Sequence, residues 1–503
     1  MAERDLRSDL LNTLLTSPHR DLGPLQQTHQ KMLRQDPLFY VHLAAWYADH
    51  GQVRDHQEMF SALLCLSDFE GHRDTGLALL RRFPPYEVAR VVDFIKGREI
   101  RKRVAAGTRG GKRKYRMETL KEGLNRNVPR SLRTEITAYL REREASENAF
   151  DRAALTAREA LKRLYAGLHI KPSPRANAIL FTRSPPPGSL AYILKEIARS
   201  GSPAEQARWI AEHRLPYRVA CTVIRKMSPM MLAALVEVMS PQELINNLAS
   251  LKRRGAFENR DVKKLIDAKL KAAQNAARVS AYKAKVAAGA AEADEELAAA
   301  LDQVTESQVR QAGRIKRPTA LLIDKSGSMQ AAIEVGKQVG AMISAISDNT
   351  LVAYAFDTVA YPLRPAGTGL AAWEKALAGI KAGGQTSCGV ALAQMTRKKQ
   401  WVEQLVMITD EQENSAPPFK QAYVKYAEAA GLRPAVIFVK VGEATGKLEE
   451  ACAELGVAPN VTEFRGDYYA LPNLIPLLSA PSLGELVMQI LEYPLPHRQA
   501  AKA

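Results

Sequence analysis

The sequence predicts two structural classes in series: an α-helical repeat array, then an α/β doubly wound domain. Up to about residue 316, apolar residues recur at helical spacing in short segments broken by Gly and Pro. From Thr319 onward, strand-like apolar runs alternate with helical ones. Hydrophobic residues make up 46% of the 503, enough for real cores in both parts.

Residues 1–35 are polar and predicted to be partly ordered. From Leu38 to Gly97 the pattern is helical, with Phe39, Leu43 and Trp46 on one face and Met59, Leu63 and Leu64 continuing it. Gly51, Gly71 and Pro84-Pro85 break the runs at helix-hairpin intervals. Residues 96–133 differ in kind, holding 14 Lys or Arg against three acids. With Gly107, Gly110 and Gly111 in the middle, this stretch predicts a flexible basic loop over 101–116, flanked by helix. The formal net charge of the whole chain is +17, so the run and the molecule agree in sign. A protein this basic meets a polyanion, and nucleic acid leads over an anionic membrane surface.

Helical spacing resumes from Ser131 to Ile170 and ends at His169-Ile170-Lys171-Pro172. A His and a Lys there suit phosphate contact; cations at a helix end also serve simply to offset the helix dipole. Between 189 and 275 a start signal repeats. Ser202-Pro203-Ala204-Glu205 and Ser240-Pro241-Gln242-Glu243 are both Ser-Pro-x-Glu, and Ser228-Pro229 shares the first two elements. Short capped helices in succession predict stacked helical pairs. The Ala-rich stretch from Ala287 to Ala300 predicts one helix leading into the last domain. There the strand-like runs are Ala320–Ile323, Leu351–Phe356, Gln404–Ile408 and Ala435–Val439.

The strongest chemical signal is Asp324-Lys325-Ser326-Gly327-Ser328, between the first strand and its helix. Ligands bind at that edge of open α/β sheets. Thr386, on a glycine-rich turn, and Asp410, at a strand end, fall on the same predicted edge. Two carboxylates and three hydroxyls are hard oxygen donors that suit Mg²⁺ or Mn²⁺ rather than zinc or copper. Such a set leaves coordination open for water or for a partner's carboxylate. Lys325, inside the motif, would weaken cation affinity if its charge faced the site.

Several classes are disfavoured. Cys65, Cys221, Cys388 and Cys452 are scattered, which argues against a zinc site or disulfide framework and suits a reducing cytoplasm. No stretch predicts a membrane span or signal core. No histidine occurs between His213 and His497, so the last domain lacks a base for a Ser triad. Asp324, Asp410, Glu411 and Glu413 are too few for a two-metal nuclease. A non-enzyme is expected.

Asp324-x-Ser326-x-Ser328 with Thr386 and Asp410 resembles the metal-ion-dependent adhesion site (MIDAS) of von Willebrand factor A domains, all five positions being present. The helical segments, Leu168-His169-Ile170-Lys171-Pro172 and the stretch from Met239 to Leu248 are similar to the TROVE module of Ro autoantigen proteins and their bacterial relatives. The resemblance implies a HEAT-like helical ring followed by a von Willebrand factor A domain. The expected division is 1–35, a TROVE-like domain at 36–316, an A-like domain at 317–495 and a tail at 496–503. It also implies a cytoplasmic monomer in RNA quality control, with a divalent cation at the adhesion-type site. Single-stranded 3′ ends of misfolded RNAs would thread the hole, and small structured Y-like RNAs would bind the basic outer surface. His169 and Lys171, then Arg130 and Arg133, match parts of the family's RNA-binding surface. Arg101, Arg103, Lys112, Arg113, Lys114 and Arg126 join them as candidates on charge; the basic loop itself departs from the animal proteins. The alternative is a metal-dependent interaction scaffold, in which the A-like domain captures an acidic protein partner or works with a nuclease.

Overall fold

A small polar residue followed by proline starts helix after helix. Asp36, Ser173, Ser202, Ser228 and Ser240 each precede a Pro, and each side chain accepts the N–H three residues on. The cap satisfies an orphan donor, and the proline takes the first helical position, where an N–H would have no intrahelical partner. The Ser-Pro starts predicted at 202, 228 and 240 are therefore real caps.

The computed structural model describes residues 7, 10–11, 22–51, 54–109, 112–224, 226–276, 279–349, 351–464, 475–479 and 483–498. The chain divides into two units: Pro18–Met239 with Gln489–Ala503, and Ser240–Met488 with Met1–Ser17. The expected division at 316 follows the change of class; this one follows packing.

In the first unit the helices are α1 (Leu22–Gln35), α2 (Pro37–His50), α3 (Arg54–Leu66), α4 (His72–Arg81) and α5 (Pro85–Lys96), followed by α6 (Arg130–Ala145), α7 (Glu147–Gly167), α8 (Pro174–Phe181), α9 (Leu190–Arg199), α10 (Pro203–His213), α11 (Tyr217–Val223) and α12 (Pro229–Val238). A continuous core runs through α3 to α8, with Leu80, Val88, Ile95, Leu132, Tyr139, Leu161 and Leu164 fully or almost fully buried. Part of the polar N-terminal stretch is ordered: α1 buries Leu25, His29 and Met32. The C-terminal segment also docks here. His42 Nδ1 donates to Tyr493 O at 2.8 Å, Tyr493 OH donates to Asp49 at 2.8 Å, and Arg498 pairs with Asp74.

The expected flexible loop is a hairpin instead. Strands β1 (Arg98–Arg109) and β2 (Lys112–Glu122) pair antiparallel, from Arg98 opposite Glu122 to Arg109 opposite Lys112. That register leaves only Gly110 and Gly111 between the strand ends, the composition that two-residue hairpin turns favour. Charge density hid the strands, because Lys and Arg mask the few β-formers, Ile100, Val104, Tyr115 and Leu120. The backbone of Arg101, Arg103, Lys112, Arg113 and Lys114 lies in this hairpin; their side chains fall outside the described residues.

The second unit begins with α13 (Pro241–Arg253), α14 (Arg260–Ala273), α15 (Ala281–Ala290) and α16 (Glu295–Ala312). The single helix expected over Ala287–Ala300 is broken, because Asp294 caps a fresh start by accepting from Leu297 N at 2.9 Å. Then come β3 (Thr319–Asp324), α17 (Gln330–Ile346), β4 (Val352–Phe356), β5 (Ala360–Pro362), α18 (Leu370–Leu377), α19 (Val390–Arg397), β6 (Gln404–Thr409), α20 (Phe419–Ala430), β7 (Ala435–Val441), α21 (Lys447–Glu454), β8 (Asn460–Phe464), α22 (Ile475–Ser479) and α23 (Leu483–Leu491). The six-stranded order is β5-β4-β3-β6-β7-β8, parallel except for β5. The expected fold class, helical repeats then a doubly wound α/β domain, is the one observed. β3 and β6 are buried along their whole length, as central parallel strands are.

Candidate functional site

The chain leaves β3 toward β4 on one side, while β6, β7 and β8 build outward on the other. The strand order therefore reverses between β3 and β6, which opens a crevice at their C-terminal ends. Register puts Ile323 opposite Ile408, so Asp324 stands level with Thr409, and Asp410 follows at once. Thr409 Oγ1 donates to Asp324 Oδ2 at 2.8 Å. Ser326 N donates to Asp324 Oδ1 at 2.9 Å, which folds the turn back over the carboxylate. Ser328 Oγ donates to Asp410 Oδ2 at 2.9 Å.

The third loop is stitched to the other two through its backbone. Gly327 N donates to Gly384 O at 3.2 Å, and Gly383 N to Lys325 O at 2.8 Å. Thr386 O accepts from Asn414 N and Ser415 N at 3.0 and 2.9 Å, while Thr386 N donates to Asn414 Oδ1 at 2.8 Å. Asp324, Ser326, Ser328, Thr386 and Asp410 thus sit on three loops joined at one sheet edge. Asp324 is fully buried, Asp410 and Thr386 nearly so, and Ser328 is exposed. Burial pushes the Asp324 carboxyl up, opposed by the Ser326 and Thr409 hydrogen bonds; nearby Asp410 adds to the rise. A buried carboxylate under that stress, a second carboxylate at Asp410 and hydroxyl oxygens beside them are a donor set that fits a hard divalent cation.

Lys325 does not oppose a cation as its sequence position suggests. Its ammonium pairs with Asp357 and lies over the Tyr361 ring. Burial raises the Asp357 carboxyl, but its hydrogen bonds, that from Lys325 foremost, outweigh this and hold it below the usual range. Glu411 and Glu413 are committed elsewhere. Glu413 Oε1 accepts from Cys388 N and Phe419 N, and Glu411 is fully buried near Lys440. Thr409, Asn414 and Asp357 are supporting residues that sequence reasoning missed; only register and loop packing reveal them.

A second constellation lies in the helical unit. Arg133 Nη2 donates to His169 O at 3.2 Å, tying the start of α6 to the loop after α7. Arg141 Nη2 donates to Lys171 O and Lys96 Nζ to Gly167 O, both at 2.6 Å. Arg126 N donates to Ile95 O at 2.8 Å, seating the 124–129 segment against the end of α5. Arg126, Arg130, Arg133, His169 and Lys171 are all exposed, and none pairs with a carboxylate among the described residues. His169 holds a left-handed conformation (φ 53°), which turns the chain sharply out of α7. Lys96 joins this face without having been singled out from sequence.

No helix among the described residues is long and apolar enough to cross a membrane. No family model and no curated protein matches the sequence. Among solved structures, proximal thread matrix protein 1 of the mussel byssus aligns over 34% of this chain and 48% of its own, at 15% identity and TM-score 0.28. A von Willebrand factor type A protein of Catenulispora acidiphila aligns over 33% and 43%, at 18% identity and TM-score 0.25. The Ro (RSR) protein of Deinococcus radiodurans aligns over 94% of this chain and 93% of its own, at 14% identity and TM-score 0.54. Over nearly its whole length, this chain is similar in fold to that Ro protein.

Proposed function

We propose that this protein is a non-catalytic RNA-binding protein of the Ro type, acting in RNA quality control in the cytoplasm. The observation that carries the reading is that Lys96 and Arg133 both reach the turn at 167–169, beside exposed Lys171, with exposed Arg126 and Arg130 just before Arg133 in the chain. The Lys and Arg side chains among them donate to backbone carbonyls or pair with no carboxylate in the described residues, so their charge stays available to phosphate. The fold likeness to a Ro protein supports the same reading. A small structured RNA takes this face, and single-stranded 3′ ends of misfolded RNAs are the second ligand that the Ro resemblance implies. Asp324, Ser326, Ser328, Thr386 and Asp410 hold Mg²⁺ or Mn²⁺, which supplies charge neutralisation between two buried carboxylates.

Phosphate contacts release counterions, so affinity falls with salt. Titrating a structured RNA bearing a single-stranded tail, from 50 to 300 mM KCl, is expected to give a log–log slope of about −3 or steeper. Affinity that ignores salt, or that heparin matches, defeats the reading.

One observation favours a second role for the sheet edge. Ser328 is exposed beside buried Asp324 and Asp410, so a cation there keeps an open position for a partner's carboxylate. Capture of an acidic protein partner, a nuclease among them, is the alternative function, tested by cation-dependent pull-down with Asp324→Asn as control.

A further inference from the structure

We propose that the β1–β2 hairpin is a rigidly mounted arm that grips double-stranded RNA by its phosphates, separate from the basic face at its foot. The inference rests on the RNA reading above and adds a ligand class to it. Charge is divided along the arm. In the near half the register sets opposite signs across from one another: Arg98 with Glu122, Glu99 with Lys121, Lys102 with Glu118. Beyond Glu118 no acid remains, and Arg103, Arg109, Lys112, Arg113, Lys114 and Arg116 follow. Arg109 even stands opposite Lys112. Like charges directly opposite one another destabilise a strand pair. The fold gains nothing from this arrangement, whereas a polyanion does.

The mounting is stiff. Gly97 and Gly123 cross where the hairpin leaves the helical core, both at positive φ (76° and 129°). A Cβ on Gly123 would lie 2.4 Å from Phe94 O, and one on Gly97 would lie 2.2 Å from Asn125 Oδ1. Leu124 N and Arg126 N then donate to Phe94 O and Ile95 O, both at 2.8 Å, closing the last turn of α5. Among the described residues no helix packs along either strand. From Arg98 to Arg109, eleven steps of about 3.3 Å take the strand roughly 36 Å out.

The composition selects the ligand. Proteins that hold single strands stack bases on aromatic side chains. Between Arg98 and Glu122 the one aromatic is Tyr115. Phosphate contact without stacking suits a duplex, which A-form RNA presents as a fixed array of backbone charge.

The test uses the full chain, a blunt RNA duplex of about 20 base pairs, and a stem carrying a single-stranded 3′ tail. Arg109→Gln/Lys112→Gln/Arg113→Gln/Lys114→Gln is expected to weaken duplex binding about 100-fold or more and to flatten the salt slope by about 3. Affinity for the tailed RNA, competed with unlabelled duplex, is expected to change less than about threefold. Lys102→Gln/Lys121→Gln, in the paired near half, is the control and leaves duplex binding within about threefold. The quadruple change removes like charges, so the fold is not at risk, and an unchanged thermal midpoint checks this. Equal loss on both RNAs, or on neither, overturns the arm. Wild-type protein that binds the tailed RNA but no duplex overturns the arm alone; protein that binds neither overturns the RNA reading with it.

Discussion

The sheet edge and the basic face each gather charge of one sign, but in opposite surroundings. At the sheet edge Asp324 and Asp410 are buried, and burial strains the ionised form of Asp324. On the helical face Arg126, Arg130, Arg133 and Lys171 are exposed, so water and salt absorb their repulsion at little cost. Like charge in the interior destabilises the fold until something neutralises it. Like charge at the surface leaves the fold indifferent and waits for a partner. Neighbouring arginines sharpen the contrast. Arg175 is held by Asp151 at 2.7 and 3.1 Å, and Arg90 by Asp55 at 2.6 Å. The helical unit pairs its cations where the fold needs them and leaves them unpaired on the face proposed for RNA.

The largest effect follows from the exposed side. Arg130→Gln/Arg133→Gln/Lys171→Gln is expected to weaken binding of a structured RNA about 100-fold at moderate salt, with a shallower salt slope. The thermal midpoint is expected to fall by no more than about 4 °C, because no ion pair is lost and only the exposed Arg133 hydrogen bond to His169 O goes. A variant that unfolds early, or that binds RNA as before, breaks the comparison.

The buried side predicts the reverse pattern. Mg²⁺ is expected to raise the midpoint of the α/β domain, since a ligand at about 100 times its dissociation constant adds roughly 2.7 kcal/mol. Asp324→Asn keeps an acceptor for Ser326 N, so the turn survives while the Mg²⁺ response disappears. RNA affinity is expected to change less than about threefold. Calorimetry with and without Mg²⁺ reads the first effect and a gel shift the second; a midpoint blind to Mg²⁺ in the wild type ends the cation proposal.

Legibility in the sequence followed distance along the chain. Asp324, Ser326 and Ser328 lie within one turn, between an apolar strand and a periodic helix, so their meeting needed no long-range information. Thr386 and Asp410 could be nominated because each ends a loop at the predicted sheet edge, but only the β3–β6 pairing brings them to Asp324. The Ser-Pro caps were legible because capping is local chemistry. The hairpin was not, because strand pairing was concealed under charge. The edge strands β5 and β8 were missed because short, partly polar edges carry little alternation. Nothing local joins Arg498 to Asp74, 424 positions away.

The smallest predicted effect asks whether buried like charge is always resolved by a cation. In the helical unit Glu58 is buried beside Asp55 and Glu87, with Arg90 as its main partner. Its Oε1 has no hydrogen-bond partner. Burial pushes its carboxyl up to about 8; Arg90 opposes the rise, and Asp55 and Glu87 add to it. Here a proton performs the neutralisation. The unfolded carboxyl ionises near 4.5 and the folded one near 8, so between those values the folded state holds the extra proton. Stability from this group is therefore lost as pH rises through that window. Glu58→Gln fixes the neutral form. It is expected to match the wild type near pH 4.5 and to exceed it by about 1–3 kcal/mol at pH 9, a midpoint difference that grows steadily with pH. If the difference is flat from pH 5 to 9, Glu58 is ionised and held by Arg90 throughout. The helical core would then carry a buried carboxylate with an arginine in the role proposed for the cation at the sheet edge.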